Sequence, residues 1–174
     1  NVYDFSLGNP NVPAPDCVKQ AILDIINEED PVMVHGYMPN AGYLDVRTAV
    51  ADSLNRRFGM DYGPENILMT VGAASGLNDI LKTILNPGDQ VLTFAPFFVE
   101  YSSYVKNYDG ELVVVPPDTS TFQPDLEEFE KRINHRTKAV IVNNPNNPTG
   151  VVYSEETIRR MAGVLERKSR EIGH

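Results

Sequence analysis

Four asparagines, two prolines and a Thr-Gly step fill residues 143–150, "NNPNNPTG", directly after the apolar run "AVIV". An asparagine side chain both donates and accepts a hydrogen bond, and proline restricts the backbone that aims it, so such a loop can present amides to a ligand. Asn-Pro and Thr-Gly are also ordinary turn formers, and by residue type alone the loop is as readily structural. A second stretch, "VGAASG" at residues 71–76, has small residues at Gly72, Ala73 and Ala74 where a strand would pass into a helix. Small residues let an anion approach the unpaired N–H groups of a helix start, whose partial positive charge favours phosphate. A tight strand-to-helix turn needs small residues too. A third stretch, "APFFVEY" at residues 95–101, carries Phe97 and Phe98. Either ring is ordinary core material, or a platform on which a planar heterocycle could stack. A fourth, "VHGYMPNAG", holds His35 and Tyr37 in a segment with no periodicity. The dinucleotide fingerprint G-x-G-x-x-G is absent, and no acidic residue closes the second apolar run as ribose binding would require.

The elements needed to bring these segments together can be read from periodicity. Four short apolar runs, "NILMT", "QVLTFA", "ELVVVP" and "KAVIVN", alternate with segments of helical period. That rhythm predicts an α/β fold of three layers, a mainly parallel sheet with helices on both faces. In such a sheet a ligand lies beyond the carboxyl ends of the strands, and all four segments, residues 34–42, 71–76, 95–101 and 143–150, are expected to converge on that edge. Helices are predicted from Asp16, with Val18, Ala21, Ile22, Ile25 and Ile26 on one face, and from about Tyr43 to Phe58. Another carries Leu77, Ile80, Leu81, Ile84 and Leu85 and stops at Asn86-Pro87-Gly88-Asp89, a type II turn sequence. Leu126, Phe129 and Ile133 stripe the helix before the fourth run, and Ser154 is a suitable N-cap for the last helix.

Composition removes several classes of partner. In 174 residues, 24 acidic against 15 basic side chains leave a net charge of −9, which argues against a nucleic-acid groove or an anionic membrane surface. No apolar run approaches the ~20 residues needed to cross a bilayer. Cys17 is the single cysteine, so there is no intrachain disulfide and no cysteine-based metal cluster, and a reducing, cytoplasmic setting is the simple expectation. A hydrophobic fraction of 41% suits a packed globular core.

Taken together, "HGYMPNAGYLDVR", "VGAASGLND", "LNPGDQVLTFAPFFVEY" and "NNPNNPTGVVYSEE" closely resemble, in their order, the class I and II aminotransferases, pyridoxal 5'-phosphate (PLP) enzymes of fold type I. The resemblance implies that the backbone of Gly72, Ala73 and Ala74 holds the cofactor phosphate and that the Phe98 ring stacks on the pyridine, where the family more often has Trp or Tyr. It implies that Asn147 hydrogen-bonds the cofactor's phenolic oxygen and contributes to substrate binding, and that Gly8 meets the substrate carboxylate. Tyr37 matches the tyrosine that reaches the neighbouring subunit's cofactor, so a homodimer is expected. Ala95-Pro96 and Asn147-Pro148 are expected as cis peptides. The expected partition is residues 1–30 as an N-terminal arm and part of a small domain, and residues 31–174 as part of the PLP-binding large domain.

PLP chemistry also needs a lysine that forms a Schiff base and a carboxylate at the pyridine nitrogen. The chain has Lys19, Lys82, Lys106, Lys131, Lys138 and Lys168. Five fall in predicted helices or at their ends, and Lys138 precedes its strand, opposite the site. No catalytic residue is therefore assigned, and the resemblance places the lysine and the pyridine-binding Asp beyond His174. The expected function is aminotransfer between an amino acid, aspartate by default, and a 2-oxo acid, with this chain as an inactive N-terminal portion. A PLP-dependent carbon–sulfur lyase on the same scaffold, and a non-catalytic binding module, are the competing readings.

Overall fold

The structure, a computed structural model, describes residue 8 and residues 11–173. The described chain divides into two compact units, Asn1–Met69 and Thr70–His174. This is a division by contact, drawn at a different point from the expected partition at residues 30 and 31. Residues 1–7, 9, 10 and 174 lie outside the described residues.

In the first unit, α1 spans Asp16–Glu28, α2 Pro31–His35 and α3 Leu44–Phe58. α2 is a helix that periodicity did not indicate, and it ends within the segment "VHGYMPNAG". Asp30 accepts a hydrogen bond from the Val32 amide at 2.7 Å and Pro31 takes the first helical position, where its missing N–H costs nothing. α3 ends where Gly59 adopts φ 64°, the left-handed C-cap that favours glycine. Arg47 secures the unit by donating to the carbonyls of Gly42 (3.1 Å) and Pro64 (2.8 Å), and Asn55 exchanges two 2.9 Å bonds with the Tyr62 backbone. The stripe Val18, Ile22, Ile25 and Ile26 on α1 is exposed, because no described residue of this unit covers it.

The run "NILMT" does not form the expected first strand. A 3-10 turn occupies Pro64–Asn66, and Ile67 is extended (φ −111°, ψ 125°) but has no ladder partner among the described residues. Extended backbone becomes sheet only when a neighbour pairs with it.

In the second unit, α4 (Gly72–Ile84) leads through a turn to β1 (Gln90–Phe94), then α5 (Tyr101–Lys106), β2 (Glu111–Val115), α6 (Leu126–Arg132), β3 (Thr137–Ile141) and α7 (Glu155–Ile172). The turn at residues 86–89 is as expected: the Asp89 amide donates to the Asn86 carbonyl at 3.0 Å, with Gly88 at φ 86°. The three strands are parallel, in the order β2-β1-β3, with Leu92 opposite Val113 and Val140. Side chains alternate between faces. Leu92, Phe94 and Val115 pack with Phe129 of α6 and Met161 and Val164 of α7. Val91 packs on the other face with Leu81 of α4 and Tyr101, Tyr104 and Val105 of α5. The sheet is thus a middle layer with helices on each side, the three-layer arrangement expected. Only central β1 is buried throughout; β3 is half-exposed because one of its edges has no partner among the described residues. Among those residues no helix is long and apolar enough to cross a membrane.

Candidate functional site

All three strands run the same way, so the loops after β1 and β3 leave from one edge of the sheet, side by side because the strands are neighbours. β1 connects through α5 to β2, and β2 through α6 to β3 on the other flank of β1. Chain connections therefore diverge at the carboxyl end of β1, the place where open α/β sheets leave a crevice.

After β1, Ala95-Pro96 is cis and the chain turns through Phe97 and Phe98 into α5. Both rings are half-buried against Tyr101, whose ring lies parallel to Phe97 (centroids 6.3 Å) and edge-on to Phe98 (5.7 Å). Tyr101 is buried, and that burial pushes its hydroxyl above its ordinary value, so it remains a neutral donor at physiological pH.

After β3, the four asparagines divide their work. Asn146 is 6% exposed and organises the loop: its Oδ1 accepts from the Thr149 hydroxyl (2.8 Å) and amide (3.3 Å), and its backbone pairs with Val151 and Gly150. Its Nδ2 donates to the buried Tyr153 hydroxyl at 3.4 Å. Asn144 accepts the Tyr153 amide at 2.9 Å. The Asn143 amide is oriented by its neighbours. With its nitrogen toward the Pro145 carbonyl (3.0 Å), its oxygen accepts from both the Tyr101 hydroxyl (3.2 Å) and the Asn147 amide (3.1 Å). Asn147 is exposed, and its side chain makes no hydrogen bond among the described residues. Asn147-Pro148 is cis as expected, and so is Asn144-Pro145.

The first turn of α4 supplies a donor surface. Val71 occupies the N-cap position, where its side chain has nothing to accept with, and no side-chain bond caps the helix. Gly72, Ala73 and Ala74 are exposed. The turn is held from behind: the Gly72 amide donates to the Thr70 carbonyl (2.9 Å), and Asn78 donates to the Ala74 carbonyl (2.8 Å) while accepting from Asn107 (3.1 Å) and Tyr108 (3.3 Å) of the segment after α5. With the Gly72 amide already bonded, the N–H groups of the following residues of this uncapped first turn suit an anion.

Gly72, Ala73, Ala74, Phe98 and Asn147 therefore all belong to the second unit. Tyr37 and Gly8 belong to the first, and both are exposed, with open space where a Gly8 Cβ would stand. His35 ends α2. The six lysines lie on helices or, for Lys138, near the start of β3; Lys131 and Lys168 are held in ion pairs with Glu128 and Glu171. Sequence reading passed over Tyr101 and Asn143, the residues that join the aromatic loop to the amide loop. Tyr101 lies one helical turn from Phe98, and that spacing is the signal that could have found it.

These residues fit a phosphorylated aromatic ligand: an uncapped helix start for an anion, a ring partly open to contact, and an amide with spare hydrogen-bonding capacity.

Residues 1–170 match the family model described as aminotransferase class I and II. The chain is 40% identical to a probable aspartate/prephenate aminotransferase of Thermus aquaticus, over 91% of this chain and 40% of that protein. An aminotransferase structure from Eubacterium rectale superposes with a TM-score of 0.96 at 44% identity, covering 100% of this chain and 44% of the other. Aspartate aminotransferase of Thermus thermophilus, solved with maleate, gives 0.85 at 34% identity over 93% of this chain and 42% of the other. The chain thus spans about two-fifths of the length of the relatives it matches. With the strand-edge loops and the matches in agreement, the chain belongs to the class I and II aminotransferases, a family that generally depends on pyridoxal 5'-phosphate.

Proposed function

We propose that this chain provides the cofactor-cradling part of a PLP-dependent aminotransferase, with aspartate as the default amino donor and a 2-oxo acid as acceptor. The reading is carried by one observation: the unbonded Asn147 side chain stands at the same sheet edge as the half-buried Phe98 ring, in the unit that also holds the uncapped start of α4. When bound, PLP supplies an electron sink that lets an amino acid release its α-proton and its amino group.

The chain's own part is binding and orientation. Ala73 and Ala74 present backbone N–H groups to the phosphate, and Gly72 beside them adds no side-chain bulk, which permits close approach. Phe98 offers a ring face to the pyridine; as a phenylalanine it contributes stacking and no edge hydrogen bond. Asn147 donates its amide N–H to the phenolic oxygen, stabilising negative charge there, and adds a contact to substrate. Gly8 meets the substrate carboxylate through its backbone. Tyr37 reaches the cofactor phosphate of a second subunit, which makes the protein a homodimer with shared sites. In the same reading residues 1–30 form an arm and part of a small domain, residues 31–174 belong to the large domain, and the protein works in the cytoplasm. None of the six lysines is assigned the Schiff-base role, so residues 1–174 alone are inactive.

The test is product analysis with the intact protein, PLP, aspartate and 2-oxoglutarate. Glutamate and oxaloacetate are expected. Ammonia and pyruvate from a sulfur amino acid would assign the protein to carbon–sulfur lyases instead, and a PLP titration that shows no saturable binding would reject the reading.

A further inference from the structure

The segments that carry Phe98 and Asn147 are joined by a path that neither residue forms itself. The Tyr101 ring packs edge-on against Phe98 at 5.7 Å and parallel to Phe97 at 6.3 Å. The Tyr101 hydroxyl donates to the Asn143 side-chain oxygen at 3.2 Å, and the same oxygen accepts the Asn147 backbone N–H at 3.1 Å. The Asn143 nitrogen donates to the Pro145 carbonyl at 3.0 Å, so the amide has three partners and one orientation. Tyr101 is 6% exposed and belongs to the packed cluster under the sheet, which makes it a fixed point rather than a surface side chain.

We infer that Tyr101 is a positioning residue of the cofactor site: through Asn143 it sets the backbone of Asn147, and through its ring it sets Phe98, so that amide and aromatic are held in mutual register. The inference rests on the proposed role of Asn147. Removing the Tyr101 hydroxyl leaves the Asn143 amide bonded only to the Asn147 N–H and the Pro145 carbonyl, both in its own loop, so the loop is no longer tied through it to α5. The Asn147 peptide then loses its reference to the sheet, and the side chain beyond it samples more directions. A binding group displaced by as little as 1 Å is substantially less effective.

Tyr101→Phe isolates the effect, since it keeps the ring against Phe97, Phe98 and Tyr104 and deletes only the hydroxyl. Two measurements on the intact protein decide the matter. The first needs no cofactor: amide hydrogen exchange at Asn147 is expected to quicken about tenfold in the variant, with exchange in β1 unchanged. Exchange at Asn147 equal to wild type would overturn the inference, and quickening throughout the sheet would reduce Tyr101 to a stability residue and overturn it as well.

The second is a double-mutant cycle on PLP affinity with Tyr101→Phe and Asn147→Ala. A residue acting through Asn147 weakens binding several-fold in the wild-type background and has no further effect once the Asn147 amide is gone. Full additivity would show that Tyr101 acts elsewhere and sink the inference. If Asn147→Ala alone leaves PLP affinity untouched, the assigned role of Asn147 fails, and the inference about the cofactor site falls with it. The exchange result still stands in that case, so the two failures are distinguishable.

Discussion

Asn146 and Asn147 are neighbours in the chain with opposite environments. The first is 6% exposed and bonded through its side chain to Thr149 and Tyr153; the second is exposed with a side chain that bonds to nothing described. Stability and binding should therefore separate between them. Asn146→Ala leaves the Thr149 hydroxyl and amide and the Tyr153 hydroxyl short of partners and should cost about 1–3 kcal/mol in denaturant unfolding. Asn147→Ala should change stability by less than about 0.5 kcal/mol while weakening PLP binding. Equal loss of stability in the two variants would contradict this division.

The start of α4 lends itself to a competition test. Val71 is almost wholly exposed at the N-cap, so replacing it sacrifices no packing. Val71→Asp should stabilise the fold by about 0.5–2 kcal/mol, because its carboxylate accepts from N–H groups left without partners. The same carboxylate occupies the donors meant for the phosphate and adds like charge, so PLP affinity should fall. Thermal unfolding and PLP titration of one variant check both directions.

Phe129 anchors the face of the sheet away from α4. It is fully buried, its ring centroid 5.1 Å from that of Phe94, and it packs with Met161 and Val164. Phe129→Ala should cost about 3–5 kcal/mol, since deleting a fully buried ring loses its burial and leaves a cavity in a packed core. Chemical denaturation gives the value, and a loss below about 1 kcal/mol would mean that α6 does not seal this core.

Asp118 predicts a pH dependence local to the turn after β2. Its carboxylate accepts from the Ser120 hydroxyl (2.6 Å) and amide (2.9 Å) and from the Thr121 hydroxyl (2.8 Å), and these bonds lower its pKa to about 2. A depressed carboxylate pKa stabilises the fold above the group's ordinary range, and that contribution is lost as pH falls through about 2. A side-chain carboxyl titration by NMR should place the midpoint well below that of an exposed aspartate, and Ser120→Ala should raise it.

Much of the architecture was legible because it depends on local periodicity. α3, α4 and α7 begin and end close to where caps and apolar spacing put them, and the turn at Pro87-Gly88 follows from residue type. α2 was missed although Asp30-Pro31 is an N-cap signal, because five residues hold too little periodicity to stand out. Residues 67–70 read as strand and are not, since pairing is a property of two segments and their composition describes one.

Periodicity indicated that the loops after β1 and β3 would leave one edge of a parallel sheet, as they do. Four asparagines within five residues looked interchangeable, however, and only the folded chain distinguished them. Tyr153 and Thr149 draw Asn146 inward, Tyr101 captures Asn143, and Asn147 is left available. That choice lies in contacts between residues distant in sequence: Tyr101 and Asn143 come within hydrogen-bonding distance because β1 and β3 lie side by side. An amide's chemistry is written in its residue type, but whether its hydrogen bonds are already spent depends on what packing brings against it.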